Sequence, residues 1–309
     1  MTSAAPALEA RDLVQRFGGV QALSGLSLTL QPGELVGLVG PDGAGKTTAL
    51  RLLAGLARPV SGTARIEGLD PAAPRSRVRE ILGYMPQRYA LYGDLSVGEN
   101  LTFFARLYGL PRAAYRERRA RLLAITRLEP FQDRRAEQLS GGMYKKLALA
   151  CALLHAPHVL LLDEPTNGVD PISRLELWDL LHEFVADGMA VLVTTSYMDE
   201  AERCARVGLV DRGRLLVEGR PADLVAGFDA AVVTLEGAAP TLEALLAPLG
   251  DRVAATTPRG RGLRVVLDRP ALPALQAAAS AAGVAVAPAR PTFEDLFLDL
   301  VHGQLRGAA

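Results

Sequence analysis

The sequence predicts an α/β fold with a largely parallel sheet, followed by a small α+β appendage. Three observations predict it. Apolar strands alternate with amphipathic helices from about Leu8 to Ala226, the order that builds a parallel sheet. Val159–Leu162 is a short, fully apolar run and Ala190–Thr195 repeats that character, as strands covered on both faces do. After Gly227 the pattern changes to short strands and helices punctuated by Pro240, Pro258–Gly262 and Pro288–Pro291. A chain of 309 residues has room for one large domain, residues 1–226, and a smaller one, residues 227–309.

In order along the chain, Leu35–Val39 is a strand that enters a glycine-rich turn, and a helix follows from Lys46 to about Leu56. Between Gln87 and Ser140 the signal turns helical. Val97–Tyr108 and Tyr115–Arg127 are each spaced for one buried face, which predicts a helical insert over about residues 88–140. In the second domain Ala231–Leu235, Arg252–Thr257, Leu263–Leu267 and Val284–Pro288 read as strands. Leu242–Pro248 and Ala271–Ala282 read as helices between them, and Phe293–Val301 as an amphipathic end helix. The β-α-β-β-α-β order predicts a ferredoxin-like domain.

Composition narrows the function. Apolar residues make up 49% of the chain, yet runs such as Leu147–Leu154 are broken by His155, Pro157 and His158. None reaches the ~18–20 residues of a membrane span, so the chain is not expected to cross a bilayer. The first residues lack a basic n-region and a hydrophobic h-region, so no secretory signal is expected. Two cysteines, Cys151 and Cys204, are too few for a disulfide framework and point to a reducing cytoplasm. Basic and acidic residues balance at 34 each, so no global field favours a nucleic-acid partner. Only Lys46, Lys145 and Lys146 among the basic residues are lysines. With abundant alanine, that bias points to a GC-rich bacterial genome.

Gly40-Pro41-Asp42-Gly43-Ala44-Gly45-Lys46-Thr47-Thr48 fits the phosphate-loop pattern GxxxxGK(S/T), after a strand and before a helix. Its glycines let successive N–H groups converge on one anion, and the following helix aims its positive end at the same phosphates. Lys46 is placed to neutralise β/γ-phosphates and the Thr47 hydroxyl to coordinate Mg²⁺. A second signal is Asp163-Glu164 after the apolar strand. Asp163 is delivered to the metal's surroundings, and Glu164 sits where it could polarise an attacking water. Solvated turn acids are the alternative, and their conjunction with the phosphate loop argues against it.

Over about residues 8–226 the chain resembles the ABC ATPase family of P-loop NTPases. The decisive stretch is Leu139-Ser140-Gly141-Gly142-Met143, similar to the family signature LSGGQ, with Ser140 a good N-cap. The resemblance implies a RecA-like core with an ABC helical subdomain. It also implies two ATPs sandwiched between two cassettes, where Ser140, Gly141 and Gly142 face the nucleotide of the other subunit. Phe17 matches the aromatic that stacks on adenine, a place in the core being the alternative. Gln87 matches the glutamine that contacts Mg²⁺ and reports to a membrane partner. Asp170, in Asn167-Gly168-Val169-Asp170, matches the loop that crosses to the other subunit, although an ordinary turn favours the same residues.

The strings GPDGAGKTT, LSGGM, GVDPISRLELW, TTSYMDEAERC and PTFEDLFLDL are similar to bacterial drug-export cassettes of the daunorubicin-resistance type, most closely the first half of YbhF-like tandem ATPases. That resemblance implies an ATPase at the cytoplasmic face of the membrane. It would act with a second ABC ATPase subunit and separate permease subunits on drug-like or lipophilic cargo. An uptake subunit and a soluble nucleotide switch with weak hydrolysis are the alternatives. The permease is expected to dock near Gln87–Leu95, where Tyr89, Leu91 and Tyr92 are apolar, unless these residues are local core.

The sequence departs from the family pattern twice. Ser196 stands where the usual histidine contacts the γ-phosphate, and Met143 replaces the signature glutamine in what is read as the helix's second turn. Serine cannot accept a proton productively near pH 7. The expectation is an asymmetric dimer in which this chain's own site binds ATP but turns over slowly. The partner would retain the histidine, the homodimer being the alternative.

Overall fold

The computed structural model describes residues 5–74, 77–88 and 90–307, with side chains to residue 303. The chain divides into two compact units, Met1–Val217 and Glu218–Ala309.

In the first unit β1 (Leu8–Phe17) and β2 (Val20–Leu30) form an antiparallel pair. Next come β3 (Leu35–Val39), α1 (Lys46–Leu53) and β4 (Ser61–Ile66), the last pairing antiparallel with β1. The small sheet β2-β1-β4 accompanies the largely parallel sheet expected from the sequence, which did not single it out. Along the second half of β2 buried Leu26, Leu28 and Leu30 alternate with exposed Ser27 and Thr29, the period of a strand covered on one face. Helix α1 also stops three residues short of the expected Leu56, because Gly55 turns left-handed at φ 70 directly after the cap residue Ala54.

Helix α2 (Val78–Ile81) leads into β5 (Leu82–Met85), and the insert follows as α3 (Val97–Leu107) and α4 (Arg112–Thr126). A capping box fixes where α3 begins: Glu99 N–H donates to the Ser96 hydroxyl at 3.2 Å and Ser96 N–H to the Glu99 carboxylate at 2.8 Å. Then come α5 (Gly141–Leu153), β6 (Val159–Asp163), α6 (Pro171–Ala186) and β7 (Ala190–Thr195). The unit closes with β8 (Arg206–Asp211) and β9 (Arg214–Gly219). The main sheet has the order β5-β6-β7-β3-β8-β9. The pairs among β5, β6, β7, β3 and β8 are all parallel. Every residue of β3, β6 and β7 is buried, which explains why these strands are continuous apolar runs.

The second unit contains α7 (Pro221–Ala226), β10 (Ala230–Glu236), α8 (Ala239–Leu246), β11 (Val253–Arg259) and β12 (Gly262–Asp268). It ends with α9 (Leu272–Ala281), β13 (Ala285–Pro288) and α10 (Phe293–Gly307). The unit boundary falls inside β9, ahead of the 226/227 boundary read from the sequence, because α7 packs against α10. The four strands form one antiparallel sheet in the order β11-β12-β10-β13. Val233, Leu235, Val265 and Leu267 join Leu242 and Leu275 in one core, and α10 packs against β11 and β12.

A buried ion pair fastens the start of α10. Arg264 Nε and Nη2 donate to the two Asp295 oxygens at 2.8 and 2.6 Å, and Thr292 N–H and hydroxyl each reach Asp295 at 2.7 Å. Burial alone would raise the Asp295 pKa, but the bonds from Arg264 and Thr292 outweigh it and hold the carboxyl below its usual range. A lowered folded pKa gives stability that is full above the unfolded value of about 3.9 and is lost as pH falls through the folded pKa. Asp295→Asn removes the charge partner of half-buried Arg264 and is predicted to destabilise the second unit by about 1.5–3 kcal/mol, the scale of hydrogen bonds to a charged group. The variant should also flatten the acid limb of thermal stability below pH 4. Denaturant melts of the full chain at pH 7 and pH 3 check both; equal loss at the two pH values would contradict the assignment.

Candidate nucleotide site

The loop Gly40–Gly45 leaves the carboxyl end of β3, which lies between β7 and β8, at the crevice where ligands of open α/β sheets bind. Gly45 caps α1 at φ 105, and a Cβ there would lie 2.4 Å from the Ala22 carbonyl oxygen, so only glycine serves. The loop borders a cavity of 390 Å³ lined by Val20, Gln21, Ala22, Asp42, Gly43, Ala44, Gly45, Lys46, Thr47, Thr48, Gln87 and Glu164. A larger cavity of 510 Å³ among Leu122, Leu153, Phe184 and Met189 is lined by none of the loop residues; of its charged lining, Arg121 pairs with Asp187 and Arg118 donates to the Leu154 carbonyl at 3.2 Å.

Charge is concentrated at the loop. Lys46 is only 4% exposed; its Nζ donates to the Gly40 and Pro41 carbonyls at 2.7 and 3.0 Å and pairs with Glu164 Oε1 at 3.3 Å. The Thr47 hydroxyl donates to Asp163 Oδ1 at 3.0 Å, and Thr194 does so at 2.9 Å. Burial pushes the Asp163 pKa up, and these two hydroxyls oppose the shift.

Glu164 begins the turn after β6 with φ 47, a left-handed backbone that costs a non-glycine residue about 1–3 kcal/mol. The surroundings over-determine it. Its N–H donates to the carbonyl and the hydroxyl of Thr194, each at 3.1 Å. Its Oε2 accepts from Gln87 Nε2 at 2.7 Å and from Asn167 Nδ2 at 3.1 Å. The residues expected to share one centre, Lys46, Thr47, Gln87, Asp163 and Glu164, are therefore brought together.

The remaining expected site residues stand apart from this centre. Phe17 is 54% exposed at the end of β1, which removes the alternative of a core role. Ser140 caps α5, its hydroxyl accepting from Met143 N–H at 3.3 Å; Asp170 caps α6, accepting from Ser173 N–H at 3.0 Å. Met143 is the third residue of α5. It belongs to the helix's first turn, not the second, because the helix starts at Gly141 directly after the cap. None of Phe17, Ser140, Gly141, Gly142, Asp170 and Ser196 lines the cavity by the loop. Ser196 is half-buried just past β7.

Sequence reasoning missed several supporting residues. Thr194 serves both Asp163 and Glu164, Asn167 serves Glu164, and Lys145 reaches the Gln87 and Glu164 carbonyls. Glu200 is fully buried behind the end of β7, accepting from Thr166 and Thr195 at 3.0 and 2.6 Å, with Arg174 3.6 Å away. The available signal was the Thr194-Thr195 pair closing an otherwise apolar strand.

For a divalent ion, Thr47, Asp163 and the free amide oxygen of Gln87 offer hard oxygen donors, the set that suits Mg²⁺ when phosphate oxygens complete it. Among the described residues no cluster of three His, Cys, Asp or Glu could hold a metal unaided. The residues therefore fit an ion that arrives with a nucleotide.

A family model described as ABC transporter matches residues 23–167. The Nod factor export ATP-binding protein I of Cupriavidus metallidurans (strain ATCC 43123 / DSM 2839 / NBRC 102507 / CH34) is 39% identical over 305 residues, spanning 97% of this chain and 98% of that protein. The chain belongs to the ABC transporter ATP-binding family. This ABC chain is also 44% identical over 299 residues to the probable multidrug ABC transporter ATP-binding protein YbhF of Escherichia coli (strain K12). That match covers 94% of the chain and 51% of YbhF, so the chain spans about half the relative's length. Its structure is similar to the dimeric post-hydrolysis state of the ATP-binding cassette MJ0796 bound to ADP and Pi, with TM-score 0.63 at 25% identity, covering 69% of this chain and 98% of that one.

Thr194→Val in this ABC subunit keeps the side-chain shape and removes the hydroxyl shared by Asp163 and Glu164. The predicted cost is about 1–3 kcal/mol in denaturant unfolding; a change below 0.5 kcal/mol, roughly the scatter of neutral surface substitutions, would contradict the role.

Proposed function

We propose that the chain is the ATP-hydrolysing subunit of an exporter, working against separate permease subunits. The observation that carries the reading is the convergence of Lys46, Thr47–Asp163 and Gln87–Glu164 on one loop mouth. Lys46 holds and neutralises the β/γ-phosphates, exchanging its contact with Glu164 for phosphate oxygens. Thr47, Asp163 and Gln87 would hold Mg²⁺, which would supply charge neutralisation on the phosphates. Glu164, released from Lys46, orients a water and takes its proton as the oxygen attacks the γ-phosphorus; the bond to the β-phosphate oxygen breaks and ADP leaves with phosphate.

The second half of each site comes from another cassette. Ser140 at the bare start of α5, Asp170 at the start of α6 and exposed Phe17 are accessible or half-buried without lining this chain's own cavity. Ile172 and Leu175 beside Asp170 are 71% and 46% exposed, apolar surface that a second cassette would cover. The dimeric state named for the structural relative supports the same arrangement.

Export, drug-like or lipophilic cargo and permease partners rest on the names of the relatives. A groove of 470 Å³ lined by Tyr84, Pro86, Leu91, Tyr92, Phe104 and Tyr108 supports a docking place for the permease. Buried Asn100 braces its rim through bonds to Tyr92, Leu95 and Ser96. Tyr89, also expected there, lies outside the described residues. No helix among the described residues is long and apolar enough to cross a membrane, and we place the chain on the cytoplasmic face through its partners. The second unit reads as a ferredoxin-like appendage by its strand order.

Ser196 favours a second element of the proposal, a slow site within an asymmetric dimer. Serine removes the imidazole that would help hold the water. Ser196→His is predicted to raise turnover of the purified chain about 10²-fold, the scale of one lost transition-state contact. Brisk hydrolysis by the unmodified chain that Ser196→Ala leaves untouched would end the slow-site idea. Glu164→Gln is predicted to lower turnover about 10²–10⁴-fold while MgATP affinity stays within a few-fold. Retained turnover in single-turnover assays would remove Glu164 from the reaction.

A further inference from the structure

Lys145 lies in the second turn of α5, the helix that Ser140 caps, and is 9% exposed. Its ammonium extends into the nucleotide centre without pointing at the cavity. Nζ donates to the Gln87 carbonyl at 3.1 Å and to the Glu164 carbonyl at 3.4 Å. These two residues also touch each other, Gln87 Nε2 on Glu164 Oε2 at 2.7 Å. The three contacts close a triangle whose corners lie after β5, after β6 and on α5.

The triangle bears on the strained residue. Glu164 holds φ 47 only because both ends of its peptide are tied. Thr194 ties the N–H side, and the carbonyl accepts from Lys145 Nζ at 3.4 Å and from Asn167 N–H at 3.2 Å. An Asn167 bond closes the turn locally, whereas the Lys145 bond ties it to another element. A buried ammonium is costly unless its donors are used, and here two of the three are spent on the backbone of Gln87 and Glu164.

We propose that Lys145 is a positioning residue that clamps the Gln87 and Glu164 backbones to the signature helix, so that the Glu164 carboxylate is aimed only while α5 is seated. The inference rests on the proposed role of Glu164 in hydrolysis, whereas the contacts of the clamp do not depend on it. It makes the seating of α5, and therefore of Ser140 at its start, a condition for an aligned carboxylate in this chain's own site. Lys145 touches no reacting atom.

The test compares Lys145→Met, which keeps the apolar stem without donors, Lys145→Gln, which keeps one short donor group, and Lys145→Arg, which keeps the charge. Amide hydrogen exchange on the full nucleotide-free chain is read first. Lys145→Met should exchange at least tenfold faster in peptides covering residues 84–88 and 162–168, with β3 and β8 unchanged and Lys145→Arg recovering most of the protection. Turnover is read second: kcat should fall at least tenfold in Lys145→Met, with KM for MgATP within twofold, and rise again in Lys145→Arg. If Lys145→Met does not fold, Lys145→Gln against Lys145→Arg carries the same comparison. Unchanged exchange in residues 162–168 overturns the clamp, as does faster exchange spread through the whole sheet or a loss confined to KM. Local loosening with no fall in kcat would leave the clamp standing and refute instead the role assigned to Glu164.

Discussion

A single ammonium, that of Lys46, is held away from water between two loop carbonyls and one carboxylate, and the architecture around it serves that confinement. A desolvated charge is stable only when its donors are matched. The match requires the Gly40 and Pro41 carbonyls to turn inward, which the loop permits because β3 is fixed between β7 and β8. It also requires Glu164 to face the loop, which the adjacent turn after β6 achieves at the expense of backbone strain. The buried strands are thus the mount that sets two charges 3.3 Å apart.

That pairing gives the site a two-position logic. In this structure the cation and the carboxylate satisfy each other, and Gln87 and Asn167 complete the carboxylate's shell. Phosphate oxygens are stronger partners for an ammonium than one carboxylate shared with amides, and the proposed reaction uses that preference to free Glu164 for a water. The contacts from Lys46, Gln87 and Asn167 together hold the carboxylate in place. Residues at the starts of α5 and α6 lie outside this exchange, which is why a second cassette has a place in the account.

Much of this was legible in the chain alone. The phosphate loop and the Asp163-Glu164 pair announce themselves because backbone approach demands glycine at fixed spacing and a buried strand must be apolar throughout. The order of strands and helices in the second unit was visible for a similar reason, since Pro and Gly mark each turn. The small antiparallel sheet was not separated from the parallel one: Leu26–Leu30 alternates cleanly, but the pairing of β4 with β1 joins residues far apart in the chain. Also illegible were Lys145, Thr194 and Glu200, whose partners lie 19 to 58, 30 to 32 and 5 to 34 positions away. A lysine in an apolar helix, or a threonine ending a strand, reads as ordinary until the fold shows what it touches. The early end of α1 and the place of Met143 were errors of boundary, where one glycine or one cap decides.

The most direct measurement is MgATP binding to the full chain by calorimetry, comparing the unmodified protein with Lys46→Ala at equal fold stability. The account predicts a loss of affinity of about 10²-fold or more, the scale of a buried charge-assisted contact worth about 3 kcal/mol. Undiminished affinity in Lys46→Ala would show that the phosphates are held somewhere else, and the central claim would fail.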